Sequence, residues 1–164
     1  MKGWPTWTYD KHDKRKDPIN IIFYFNETKA SQALIDRAWK SPPVYLGLIP
    51  SVHSQYIRQD DNRIVQKTQL IKGPLHDRYH IRIWEWDNDS TVSGAHHEYG
   101  LTLGIVPVQI RGRGHYPEFE KGKWKIENDL RPNHEVEHDG IDLGNIREEP
   151  FSNGKATAIR KVAG

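Results

Sequence analysis

His76-Asp77-Arg78-Tyr79-His80-Ile81-Arg82-Ile83-Trp84-Glu85-Trp86 is the stretch whose reading decides the fold. Apolar residues recur here at every second position, which is the period of a strand and not of a helix. One face carries Tyr79, Ile81 and Ile83. The other carries Arg78, His80 and Arg82, with Trp84 at its end. Burying the three apolar side chains contributes about 1.5–3 kcal/mol each. A dry, unpaired guanidinium is strongly unfavourable, so the cationic face must meet water, carboxylates or an anionic ligand.

Working outward, Asp87-Asn88-Asp89-Ser90 is a turn signal, and residues 91 to 99 are expected to return as the partner of a hairpin. Ala95, Tyr99, Leu101, Leu103 and Ile105 are apolar at odd positions, matching Ile81 and Ile83. That register puts His96 and Glu98 on the polar face with His80 and Arg82. A slip of one residue would put His97 there instead. Either way, a histidine of Gly94-Ala95-His96-His97-Glu98 neighbours His80.

Before the hairpin, Ile19 to Phe25 reads as a strand buried on both faces. A helix capped within Asn26 to Thr28 is expected to run to about Trp39, with Ala30, Ala33, Leu34 and Ala38 on one stripe. Ser41-Pro42-Pro43 ends it, and Val44 to Leu48 is a short apolar segment. Residues 1–16, with the charge run Lys11-His12-Asp13-Lys14-Arg15-Lys16, read as an N-terminal extension, and 17–164 as the domain proper. Residues 105 to 131 read as an inserted hairpin or extended loop. The last strand is expected near Ala156 to Val162.

The chain has 164 residues, enough for one domain with a real core. With 35% hydrophobic and 28% charged residues it is polar yet too aromatic for disorder. A net charge of +2 gives no global case for nucleic acid. Without cysteine, thiolate metal sites, disulfides and cysteine nucleophiles are excluded. Met1 to Asp17 has no secretory pattern, and no apolar stretch is long enough to span a bilayer, so a cytoplasmic domain with no transmembrane segment is expected.

His80, Arg82, His96 and Glu98 form the leading constellation. Imidazole titrates near neutrality, guanidinium grips carboxylate or phosphate, and Glu98 can orient a histidine. In a functional reading His80, His96 and Glu98 are catalytic, and Arg78 and Arg82 bind substrate. The alternative is an internal ion-pair network of a half-buried sheet. A second group, His134-Glu135-Val136-Glu137-His138 with Asp139 and Asp142, formally contains zinc-protease spacings. Pro132 and Gly140 leave little more than one helical turn, so such a helix is not expected. A different divalent-metal site, drawing on His96, His134 and His138, remains open beside a plain surface loop. The segment Arg111 to Lys125 interleaves basic residues with Tyr116, Phe119 and Trp124, as single-strand binding surfaces do, although Glu118 and Glu120 dilute it.

The run Arg78-x-His80-Ile81-Arg82-Ile83-Trp84 resembles the LssY C-terminal domain family, whose members carry an Arg/His-His-x-Arg-x-Trp run. Asp17-Pro18-Ile19-Asn20, Ser54-x-Tyr56, Asp61, Gln66-Lys67, Gly94-Ala95, and His134 with Glu137, Asp139, Asp142 and Arg147 add to the resemblance, which covers roughly residues 17 to 149. It implies a shared fold and a shared polar cluster rather than a reaction.

The expectation is therefore a single α+β domain, with a mixed or mainly antiparallel sheet and one principal helix. Its polar cluster would receive a phosphorylated or otherwise anionic small molecule or lipid headgroup, with phosphoester hydrolysis as the candidate reaction. A non-catalytic binding or accessory module is the alternative. Nucleic-acid binding through Lys11 to Lys16 and Lys121 to Lys125 ranks last.

Overall fold

A computed structural model describes residues 3–42, 55–74, 77–99, 101–103, 106–108 and 117–162. The segments Val44 to Leu48 and Arg111 to Tyr116, with Ser54, His76 and Ile105, lie outside the described residues. In chain order the elements are β1 (Trp7–Tyr9), β2 (Arg15–Pro18), β3 (Ile21–Phe23), α1 (Glu27–Ile35), β4 (Tyr56–Gln59), β5 (Asn62–Val65) and β6 (Thr68–Lys72). They continue as β7 (Asp77–Asp87), β8 (Ser90–Tyr99), β9 (Leu101–Leu103), β10 (Val106–Val108), β11 (Pro117–Glu118), α2 (Phe119–Leu130), β12 (His134–Arg147) and β13 (Ser152–Lys161).

The main sheet runs β12-β13-β3-β8-β7-β6, with β11 added alongside β8. Among the described residues only the β13–β3 pair is parallel in it, so the sheet is mixed and mainly antiparallel. A smaller antiparallel sheet runs β2-β1-β4-β5, and β9 pairs with β10. Residues 1–16, expected as an extension, thus contribute β1 and part of β2 to a folded sheet.

The two faces of the main sheet are covered differently. One packs Ile21, Phe23, Ile81, Ile83, Ala95 and Ile159 against α1 and α2. The opposite face packs Ile22, Trp84, Val92 and Ala156 against Ile57 and Ile64 of the small sheet. Strand alternation explains the split, since neighbours such as Ile22 and Phe23 point opposite ways. The continuous apolar run at β3 is buried on both sides, as expected.

Three expectations need correction. The first helix stops at Ile35, short of Trp39. Ala38 adopts a left-handed φ of 71°, which turns Trp39 inward, where its Nε1 donates to Asp129 Oδ2 at 2.8 Å. The described residues hold two helices, because α2 occupies the later part of the span expected as a loop over 105 to 131. Phe119, Ile126 and Leu130 are buried along it at helical spacing. Its Gly122 lies against β8 so closely that a Cβ there would run into the His96 backbone. Lastly, His134 to Asp142 is not a loop but the first part of the fourteen-residue β12. Register shifts after Glu137 and Asp142, with Asp139 at φ 53° and Gly144 at φ 68°, let this polar sequence bend while still pairing with β13.

No helix among the described residues is long and apolar enough to cross a membrane.

Candidate functional site

The long β7–β8 hairpin sets the site. Cα partners are Arg78 with Glu98, His80 with His96, Ile81 with Ala95 and Arg82 with Gly94. This is the register that the odd apolar positions imply. His97 points to the other face, where its ring meets Tyr79 at 4.6 Å and its Nε2 lies 2.5 Å from Asp77 Oδ1.

The cationic face of β7 is not open to water. Arg78, His80, Arg82, His96 and Glu98 are all buried, on the sheet face that Trp84 also occupies. Their charge is met by carboxylates. Arg78 reaches Glu98 Oε2 from both Nε (3.0 Å) and Nη2 (2.9 Å). The remaining oxygen, Oε1, contacts His96 Nε2 in a very short hydrogen bond and lies 3.5 Å from His80 Nδ1. The two imidazoles meet edge to face, with ring centroids 5.0 Å apart. Glu98 therefore bridges one guanidinium and two histidines.

Arg82 has a second carboxylate. Its Nη1 lies 3.5 Å from Asp17 Oδ2, on β2 of the small sheet. Gln55 Nε2 donates to the same oxygen at 3.4 Å, and the Asp17 amide donates to Thr8 Oγ1 at 2.9 Å. Gly94 explains how β2 comes so near. A side chain there would press on Pro18 O at 3.3 Å, so the bare glycine opposite Arg82 admits the chain that carries Asp17. Asn20 then fastens this chain to β8. Its Oδ1 accepts from the Ala95 amide at 2.9 Å, and its Nδ2 donates to Ala95 O at 2.8 Å.

Burial, reinforced by the charge of Arg82, pushes the His80 imidazole down to about 3, and the contact with Glu98 opposes this only in part. His80 is thus neutral at physiological pH, which suits a ligand or hydrogen-bond role better than a proton-transfer role. Burial acts to raise the Glu98 carboxyl, but the neighbouring histidines hold it well below the usual carboxylate range. His80 Nε2 has no hydrogen-bond partner among the described residues. An imidazole nitrogen left in this state is unfavourable in a dry interior unless something else meets it.

Ligand atoms of His80, His96 and Glu98 all lie within 4.8 Å of one another, making this the His/Glu group among the described residues with the spacing to hold a metal ion. The expected trio of His96, His134 and His138 is not assembled. His134 Nδ1 donates to Leu130 O at 3.3 Å and its ring lies against Phe25. His138 Nδ1 sits 2.6 Å from Glu127 Oε2, beside α2. Both belong to β12, and the bulged strand directs them to the helix instead of the β7–β8 cluster. The zinc-protease spacing likewise has no helix to carry it.

The basic surface expected over Lys121 to Lys125 is divided by α2. Lys123 is buried, and so is Phe119, whereas Trp124 is exposed. Lys123 Nζ contacts Asp139 Oδ1 (2.6 Å), Glu120 Oε1 (2.9 Å), Asn153 Oδ1 (3.1 Å) and Lys155 O (3.2 Å). Sequence reasoning missed this lysine and Asp17. Asp17 stood in a quoted motif, but nothing local to it announces a contact with Arg82, 65 residues away.

No protein-family model, curated protein or solved structure matches this chain.

Proposed function

We propose that the chain is a cytoplasmic domain that binds an anionic ligand, a phosphorylated small molecule or lipid headgroup, at the cluster of Arg78, His80, Arg82, His96 and Glu98. Phosphoester hydrolysis is the reaction that this residue set suits. The observation that carries the reading is one guanidinium and two imidazoles gathered about the Glu98 carboxylate on a paired hairpin, with a second guanidinium, Arg82, on the same face against Asp17. Guanidinium offers phosphate a planar fork, and in a low-dielectric site such contacts are stronger than in water. The resemblance of the Arg78 to Trp84 run to the LssY C-terminal domain family belongs with this reading, since the same run builds the cluster. Within it, Arg82 grips the anion, with Asp17 as the internal counter-charge that an incoming ligand displaces. His80 and His96 donate to or accept from ligand oxygens, and Glu98 orients both.

A second reading is favoured by the closure of the Arg78–Glu98 pair, whose two partners are almost fully buried. In that reading the cluster is an ion-pair core, and the domain is a non-catalytic accessory module.

Calorimetric titration of the full chain with inorganic phosphate and pyrophosphate, beside a phosphomonoester panel and anionic vesicles, separates the two. The anion reading expects saturable binding that weakens at least about tenfold in Arg82→Gln, in line with loss of a charge-assisted hydrogen bond. Absence of binding to every probe by a folded wild-type protein, or equal binding by a folded Arg82→Gln variant, would leave the accessory module.

A further inference from the structure

We infer that His80, His96 and Glu98 form a three-ligand site for a divalent transition metal of the zinc, cobalt(II) or iron(II) kind. The inference deepens the anion-site reading and rests on the same cluster, because the ion would supply the positive charge to which an anion binds.

The donor set is the first argument. Two borderline imidazole nitrogens beside one carboxylate oxygen suit these metals more than magnesium or calcium, which prefer oxygen alone. Spacing is the second. Ligands about 2.1 Å from a tetrahedral ion stand about 3.4 Å apart. His80 Nδ1 and Glu98 Oε1 are 3.5 Å apart, and the ligand atoms of all three residues fall within 4.8 Å. Coordination would ask His96 and Glu98 to part slightly from their present short contact.

The surroundings of the ligands are the third argument. Arg78 holds Glu98 Oε2 with two nitrogens, which leaves Oε1 directed at the histidines. Ligating carboxylates are commonly fixed by an outer partner of this kind. The His80 nitrogen that faces Glu98 Oε1, Nδ1, makes no geometric hydrogen bond among the described residues and sits in a position almost wholly shut off from solvent. All three residues stand on one rigid strand pair, so little ordering is needed on binding. Charge permits the ion as well. Arg78 and Arg82 are offset by Glu98 and Asp17, so the cluster does not begin with a surplus of positive charge. Three protein ligands leave a coordination position vacant, the arrangement of sites that bind a further group and not of purely structural ones.

The test uses the full chain, stripped with a chelator and titrated separately with Co²⁺ and Zn²⁺. Cobalt is followed by visible absorption, and both metals by calorimetry and by the melting temperature. We expect about one equivalent of metal, a higher melting temperature, and binding weakened about 10–100-fold or more in His80→Asn and His96→Asn. His134→Asn and His138→Asn are expected to bind as the wild type does. Should either of these two variants not fold, the other serves the same purpose. No metal-dependent absorption or stabilisation in the wild type overturns the inference, and so does an equal loss of affinity in His134→Asn or His138→Asn. Phosphate titrated into stripped and loaded protein distinguishes this result from the anion reading. Metal uptake without phosphate binding sinks that reading alone, and phosphate binding with no metal uptake sinks the metal site alone.

Discussion

The main sheet carries a polar cluster on each face, and the two are built to different standards. Under α2, Lys123, Glu127, His138, Asp139, Asn153 and Thr157 form a network in which the lysine meets four oxygens and Glu127 Oε2 receives both Thr157 and His138. Every one of these contacts ties the helix to β12 or β13, or closes a turn of the helix itself. On the opposite face, His80, Arg82, His96 and Glu98 are all buried, more completely than His138 and Asp139, yet His80 lacks a hydrogen-bond partner at Nε2 among the described residues. The first cluster does what a buried polar network must do to be structural. The second leaves an imidazole under-satisfied, which natural interiors rarely tolerate without a functional reason. The difference agrees with a docking network on the helix side and with the ligand site proposed above on the other.

The largest expected effect tests the part of the second cluster that is closed. Glu98→Ala leaves Arg78 buried without its carboxylate and should destabilise the fold by about 3–5 kcal/mol, read from the denaturant midpoint. A loss below about 1 kcal/mol would mean that Arg78 reaches water and that the pair is not a dry one.

Next in size, Lys123→Met removes the centre of the helix-side network. Asp139 and Glu120 are only partly shielded and can rehydrate, so the expected cost is about 2 kcal/mol, smaller than for Glu98. A neutral result would show that the network is ornamental and that the apolar contacts of Ile126 and Leu130 hold the helix unaided.

Acid should then act on the helix-side cluster in a defined direction. Burial works to raise the Asp139 carboxyl, but the hydrogen bond and charge of Lys123, helped by Asn153, bring it below 3.8. The folded chain therefore keeps Asp139 ionised to lower pH than the unfolded chain does. The stabilisation is complete above the unfolded value and is lost as pH falls through the lower folded one. As pH falls below about 4, wild-type stability should decline more steeply than that of Lys123→Met, whose Asp139 has lost its cation. Parallel curves would remove Lys123 as the cause.

The smallest effect is the most telling for the comparison. His80→Leu discards an imidazole that makes little use of its hydrogen-bonding capacity in the metal-free protein. Stability of that protein should change by less than about 1 kcal/mol, or rise, in thermal and denaturant melts. A loss above about 2 kcal/mol would show that His80 is an integral strut, and the two clusters would no longer differ in kind.

The site was legible where contacts are local along a hairpin. Alternation over Arg78 to Trp84, the turn at Asp87 to Ser90 and the apolar odd positions sufficed to bring His80 beside His96 and Arg82 to the same face as Glu98. What failed were readings that depended on distant parts of the chain. The α2 segment looked like a loop because Gly122 and Lys123 interrupt its apolar stripe. Gly122 is there to admit the backbone of His96, and Lys123 to meet Asp139 and Asn153. His134 and His138 looked like partners for His96 by residue type alone, and the bends of β12 carry them elsewhere.

By itself, then, the amino-acid order determined the strand character of β7, its pairing with β8 and the company His80 keeps, because a period of two and a tight turn are written in neighbouring residues. Only the tertiary structure decided that the cationic face is buried, that Asp17 closes one side of it, and that a helix with a charged interior seals the other face of the sheet. Those outcomes depend on the small sheet and α2 packing onto opposite faces, and free energies of packing between distant segments leave no periodic mark on the chain.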